Sequence, residues 1–325
     1  MKILHYSPPG KRIRFFKTGT KQVSMAFDDV EDMYEGYWNE HEFLKSLNER
    51  VNNLDVVLIS AHGNSDAILK VQRGSFKRAI RLDNASLFKH NFVLANSCYT
   101  ALEFGPKLLE EGALTYIGFN DSIESVFIFG NFDSKRYNES LEKIFKNLYN
   151  KCMVVSINNF VRKCQTANEF MEYMRLNFQK EIKNVMKMSI DDIKLNFHVS
   201  ISEEMIEKFK AVIKLEFIGK LDILNDKITL LGEGNYIPWF FLRYLNQEEL
   251  KKILIKIEDI SEKNNYYKCF IKLLIHMILN NHEQYLNSLV EFDKELEFLG
   301  KNKDQLIIPI EFSTDFQKSR GSWVV

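Results

Sequence analysis

His62 and Cys98 are the two residues whose types and setting could do chemistry together. Each follows a short apolar run: Asp55-Val-Val-Leu-Ile-Ser60 leads through Ala61 to His62-Gly63-Asn64, and Phe92-Val-Leu-Ala95 leads through Asn96-Ser97 to Cys98-Tyr99-Thr100. A thiolate is an effective nucleophile, and a nearby imidazole can take the thiol proton and later protonate a leaving amine. Gly63 has no side chain, so its amide can approach a substrate carbonyl closely. The amides of Gly63 and Cys98 are therefore the candidate oxyanion hole of an acyl-transfer site.

Such a pair needs two elements that release both side chains at one place. The runs before His62 and Cys98 are compact and β-branched, as suits buried parallel strands. In open α/β sheets, functional groups collect beyond the carboxyl ends of parallel strands. Neighbouring strands lie about 4.8 Å apart, so residues leaving adjacent strands can meet. Further strands are expected at 3–6, 13–16 and 113–118, with a hairpin at 67–82 turning at Arg73-Gly74-Ser75. Helices are expected at 35–51, 101–111 and 134–150, the second starting near Thr100 with its positive end close to Cys98. Beyond that, 166–188 has a long helical pattern and 214–231 reads as two strands about Asn225-Asp226. Residues 238–299 read as about three helices, and 307–312 as a late strand. The fold class is α/β: a mainly parallel sheet flanked by helices, followed by a mostly helical C-terminal region with a small β element. The division falls at residues 1–155 and 156–325.

The segment 56–119 resembles the CHAT peptidases, a branch of the caspase-like cysteine peptidases. The matching residues are the strand with His62-Gly63, the hairpin, Leu82-Asp83-Asn84-Ala85-Ser86-Leu87, then Phe92-Val-Leu-Ala-Asn-Ser-Cys98-Tyr-Thr-Ala101 and Gly112-Ala-Leu-Thr-Tyr-Ile-Gly118. The resemblance implies a caspase-like sheet and endopeptidase activity on a protein substrate. It also implies a dyad of His62 as acid/base and Cys98 as nucleophile, with no cofactor and no metal. It further implies a role in bacterial defence or regulated cell death, with a separate activator or regulatory protein as partner. In such enzymes an acid near the nucleophile selects a basic residue before the scissile bond. Asp121, Glu124 and Asp28 (or its neighbour Asp29) are the candidates here, and Arg73, Lys77, Arg78 and Arg81 would instead favour an acidic substrate. Two other functions fit the same residues: an inactive interaction module, and a hydrolase or acyltransferase for small molecules.

Composition narrows the remaining classes. The 325 residues carry 44 basic and 44 acidic side chains, so there is no basic excess of the kind that nucleic-acid binding usually shows. Charge is nonetheless segregated. Residues 1–22 hold bases and no acid, and residues 27–43 hold acids and no base. The four cysteines form no CxxC pair, which disfavours a zinc ribbon and suits a reducing compartment. No signal-peptide core opens the sequence and no apolar run is long enough to span a bilayer, so a cytoplasmic protein with no membrane partner is expected. His198, His276 and His282 lack metal-ligand spacing, and the aromatic run Pro238–Tyr244 reads as core or as a partner surface.

Overall fold

The computed structural model describes residues 1–10, 13–51, 53–129, 135–199 and 206–298. The chain runs β1 (Ile3–Tyr6), α1 (Arg14–Ala26), β2 (Tyr34–Tyr37), α2 (Glu40–Glu49) and β3 (Val56–Ser60). Three short strands follow, β4 (His62–Asn64), β5 (Ala67–Gln72) and β6 (Ser75–Arg81), and then a 3-10 turn at Leu82–Phe88. Next come β7 (Phe92–Asn96), α3 (Phe104–Glu110), β8 (Thr115–Phe119), α4 (Glu124–Phe127) and α5 (Lys135–Arg162). The remainder is α6 (Ala167–Lys187), α7 (Ile190–Phe197), α8 (Ile206–Lys227), β9 (Ile228–Gly232), α9 (Gln247–Ile257), α10 (Asn265–Ile278) and α11 (His282–Phe298).

The protein is α/β, with a six-stranded sheet of order β2-β1-β3-β7-β8-β9. All neighbours are parallel except β9, which returns antiparallel to β8. Every residue of β1, β3, β7 and β8 is buried, as expected of strands covered on both faces. Their side chains alternate between two cores. Val56, Leu58, Phe92, Leu94 and Ile117 join Phe16, Val23, Phe145 and Tyr149 from α1 and α5 on one face. Val57, Ile59, Val93, Ala95 and Tyr116 join Phe43, Leu47, Phe104 and Leu108 from α2 and α3 on the other. The hairpin forms its own antiparallel sheet, β4-β5-β6.

The expected strands 3–6, 55–60, 92–95 and 113–118 and the hairpin are present, and four local expectations differ. Residues 13–16 begin α1, because Phe16, Thr20, Val23 and Phe27 recur as buried positions at helical spacing. The expected helix 35–51 splits: Tyr34–Tyr37 is the edge strand, and Asn39 caps α2 by accepting from the His41 amide at 2.8 Å. The expected helix at 101–111 starts only at Phe104. The region 214–231 is mainly helix, since Phe217, Leu221 and Leu224 form one buried stripe, and only Ile228–Gly232 is strand. The expected boundary at 155/156 falls inside α5, whose buried Cys152, Met153, Ser156 and Ile157 run through it. The C-terminal half also supplies β9 to the sheet. The expected strand 307–312 lies outside the described residues. Among the described residues no helix is long and apolar enough to cross a membrane.

Candidate functional site

Strand register decides where the two reactive residues emerge. Ser60 at the end of β3 pairs with Asn96 at the end of β7, so His62 and Cys98, each two residues further on, leave the same edge of the sheet. Strand order adds a second reason for a site here. The chain goes outward from β1 to β2 and then returns across β1 to β3, so connections diverge between β1 and β3. Such a switch point opens a crevice at the carboxyl ends of the strands. The loop after β1 borders it: a Cβ placed on Gly10 would lie 3.7 Å from His62 Nε2.

Several contacts lock the two strand ends together. The Ser97 hydroxyl donates to the Ala61 carbonyl at 2.9 Å. Gly63 packs its main chain directly on the Cys98 loop, where a Cβ would stand 2.7 Å from the Cys98 carbonyl oxygen and 2.7 Å from Thr100 Cγ2. Glycine is therefore a steric requirement at position 63. Tyr99, immediately after the thiol, has φ of 62°, an uncommon region for a residue with a side chain. Its amide is held by the Asp121 carbonyl at 3.2 Å, and the Thr100 hydroxyl donates back to the Ser97 carbonyl at 3.0 Å.

The thiol lies beneath the turn that follows β8. The Ile123 amide donates to Cys98 Sγ at 3.3 Å, and Cys98 is only 9% exposed. Burial pushes the Cys98 thiol up, while the amides of Ile123 and Glu124 and the Ser122 hydroxyl oppose that rise. These donors replace the expected helix near Thr100, since α3 starts six residues after the cysteine. His62 is buried and meets Phe76 of β6 edge-on, with ring centroids 4.8 Å apart. Its Nδ1 lies 3.8 Å from Glu124 Oε1. One turn, Asp121 to Glu124, thus touches both members of the pair.

The other sequence candidates fall into two groups. Asp121 is at the site, but its carboxylate already pairs with Lys227 at 2.7 Å and bonds the Ser122 amide at 2.6 Å. The lysine holds this carboxyl below its ordinary value. Asp28 is elsewhere: it lies in the turn between α1 and β2, which leads into the start of β2 at the edge where strands begin. Its neighbour Asp29 pairs with Arg162. Of the basic alternatives, Arg78 pairs with Asp66 at 2.6 Å. His90 precedes β7 at the opposite edge, where its ring bonds Tyr266 at 2.6 Å. Among the described residues no group of three or more His, Cys, Asp or Glu side chains could hold a metal ion.

Sequence reasoning missed a polar chain under the site. His5 Nε2 contacts the Ser60 hydroxyl at 2.9 Å, and the Tyr34 hydroxyl contacts His5 Nδ1 at 3.0 Å. Tyr149 of α5 donates to Asn96 Oδ1 at 2.6 Å. Burial holds His5 down to about 3, so it is neutral in the fold. Nothing in the spacing of His5 marks it, since it reads as one more residue of a buried strand. No family model matches the chain, and no curated protein matches it.

Proposed function

We propose that the chain is a cysteine endopeptidase of the caspase-like class, with Cys98 as nucleophile and His62 as acid/base. Cys98 Sγ attacks the scissile carbonyl carbon while His62 accepts the thiol proton. The carbonyl oxygen becomes an oxyanion held by the amides of Gly63 and Cys98. His62 then passes its proton to the leaving amine, the C–N bond breaks, and a thioester to Cys98 remains. Water, deprotonated by His62, hydrolyses that thioester and restores the thiol. No metal or cofactor takes part in these steps.

The observation that carries this reading is the register of Ser60 with Asn96, which sends His62 and Cys98 off one edge with Gly63 packed on the Cys98 main chain. The buried thiol under the Ser122–Glu124 turn supports a resting form that a separate activator opens; a cytoplasmic role in bacterial defence or regulated cell death is what the CHAT resemblance adds. Preference for a basic residue before the scissile bond would have to draw on Asp121 or Glu124, because Asp28 lies at the far edge. The same burial also favours a second reading, an interaction module that keeps the geometry without turnover.

Profiling of new protein N-termini in cells that express the wild-type chain, Cys98→Ala or His62→Ala separates the two. A peptidase yields termini present only with the wild type. Matching profiles for all three chains, with Cys98 alkylated no faster than the other cysteines, would overturn the peptidase reading and leave the module.

A further inference from the structure

We propose that Glu124 is a positioning residue for His62, its carboxylate fixing the imidazole beside Cys98. This rests on the peptidase reading above and gives that dyad a third member, in place of the substrate-selecting role that the sequence suggested for Glu124. Glu124 Oε1 stands 3.8 Å from His62 Nδ1, and the side chains are 38% and 8% exposed respectively. A carboxylate on the Nδ1 side favours the tautomer with its proton there, leaving Nε2 as the base. Contacts of this kind are often long in a resting site and tighten when substrate binds.

The main chain that carries Glu124 is anchored on several sides. The preceding residue donates its amide to Cys98 Sγ. Lys227, at the end of α8, reaches Asp121 Oδ2 at 2.7 Å, the Ser122 carbonyl at 3.2 Å and Ser125 Oγ at 2.8 Å. Lys220, two turns earlier, donates to the carbonyls of Ser125 at 3.1 Å and Ile128 at 2.6 Å. Phe76 also packs edge-on against the imidazole. The carboxylate is therefore presented to the ring from an anchored backbone, as a positioning group requires.

Several titratable groups from different elements face Cys98. Glu124 comes from α4, Tyr149 from α5, and Tyr99 from the loop after β7, with Asp121 bound to Lys227. Phe76 on β6 does not titrate. Glu124 is the carboxylate that faces both the thiol and the imidazole.

The test is the rate of Cys98 alkylation by iodoacetamide against pH, followed by mass spectrometry in the full chain. Wild type, Glu124→Gln, Glu124→Asp and His62→Ala are compared. Iodoacetamide is small and uncharged, so a group that only selects substrate would act on its rate through charge alone, and removing the Glu124 charge eases ionisation of the thiol rather than slowing its reaction. Loss of the carboxylate should lower the plateau about tenfold, the sign of a misplaced imidazole, and move the acid limb to lower pH by about half a unit, because imidazolium and thiolate both lose an anionic neighbour. Glu124→Asp should restore part of both. An unchanged plateau in Glu124→Gln, whatever the limb does, with a thermal midpoint like wild type, would overturn the inference and leave the dyad standing. A His62→Ala profile identical to wild type would overturn the dyad and the inference together.

Discussion

Replacing Gly63 with alanine probes the closest approach between the two strand ends. The added Cβ would stand 2.7 Å from the Cys98 carbonyl oxygen, 2.7 Å from Thr100 Cγ2 and 3.0 Å from Ser97 Cβ. Carbon contacts settle at about 3.5–4.0 Å, so the loop must retreat by about half an ångström or more. Rotation cannot relieve it cheaply. The first atom is main chain, and Thr100 is fully buried with its hydroxyl on the Ser97 carbonyl. Overpacking of this kind costs about 1–3 kcal/mol, and a value near 2 kcal/mol corresponds to about a 30-fold loss in the folding constant. In a chain of this size the melting midpoint should fall by roughly 3 °C. Calorimetry reads the first effect, and iodoacetamide labelling of Cys98 should change with it while Cys152 labels as before. Gly219→Ala serves as the control, since a Cβ on this helical residue meets nothing within 4 Å. It should stabilise by about 0.5–1 kcal/mol. A Gly63→Ala protein that melts within about 1 °C of wild type and labels at the same rate would refute the close packing of Gly63 on Cys98.

Two further outcomes follow from charges near the site. His5 is fully buried and held from its ordinary 6.5 down to about 3, so the unfolded chain takes up a proton that the folded chain refuses. Stability is then complete above the ordinary value and declines as pH falls below it. From pH 7.5 to 5.5 this group alone should remove about 1.3 kcal/mol, and urea titrations of His5→Gln should lack that share of the slope. Lys227→Met should release the Asp121–Ser125 turn, let the Asp121 carboxyl return toward its ordinary value, and, by withdrawing the Ile123 amide and Glu124 from the pair, slow Cys98 alkylation several-fold. An unchanged alkylation rate would mean that the lysine does not hold the turn over the thiol.

The parts of this site that could be read from sequence are those governed by local pattern. Two β-branched runs, each ending in a reactive residue, suffice to place His62 and Cys98 at strand ends, because a buried parallel strand has a compositional signature. The register of Ser60 with Asn96 then does the rest. Glu124 had no such signature. Its proximity to His62 depends on how the β8–α4 turn is held by Lys220 and Lys227, which lie about a hundred residues further along the chain. Residues 13–16 misled because two adjacent phenylalanines suit a strand as well as a helix, and the stripe continued by Thr20 and Val23 settles the matter. The division at 155 lies within α5, which has buried residues on both sides of it, and β9 joins the sheet from the far half of the chain.

The most direct test of the His62–Cys98 couple is the second-order rate constant for iodoacetamide at each of the four thiols near neutral pH, in wild type and in His62→Ala. Burial pushes Cys152 and Cys164 up to about 12 and Cys269 up to about 11, whereas Cys98 is drawn back by its amide donors. If the imidazole serves the thiol, Cys98 should react first in the wild type and slow by about tenfold or more in His62→Ala, with the other three unchanged. Equal Cys98 rates in the two proteins would contradict a working pair.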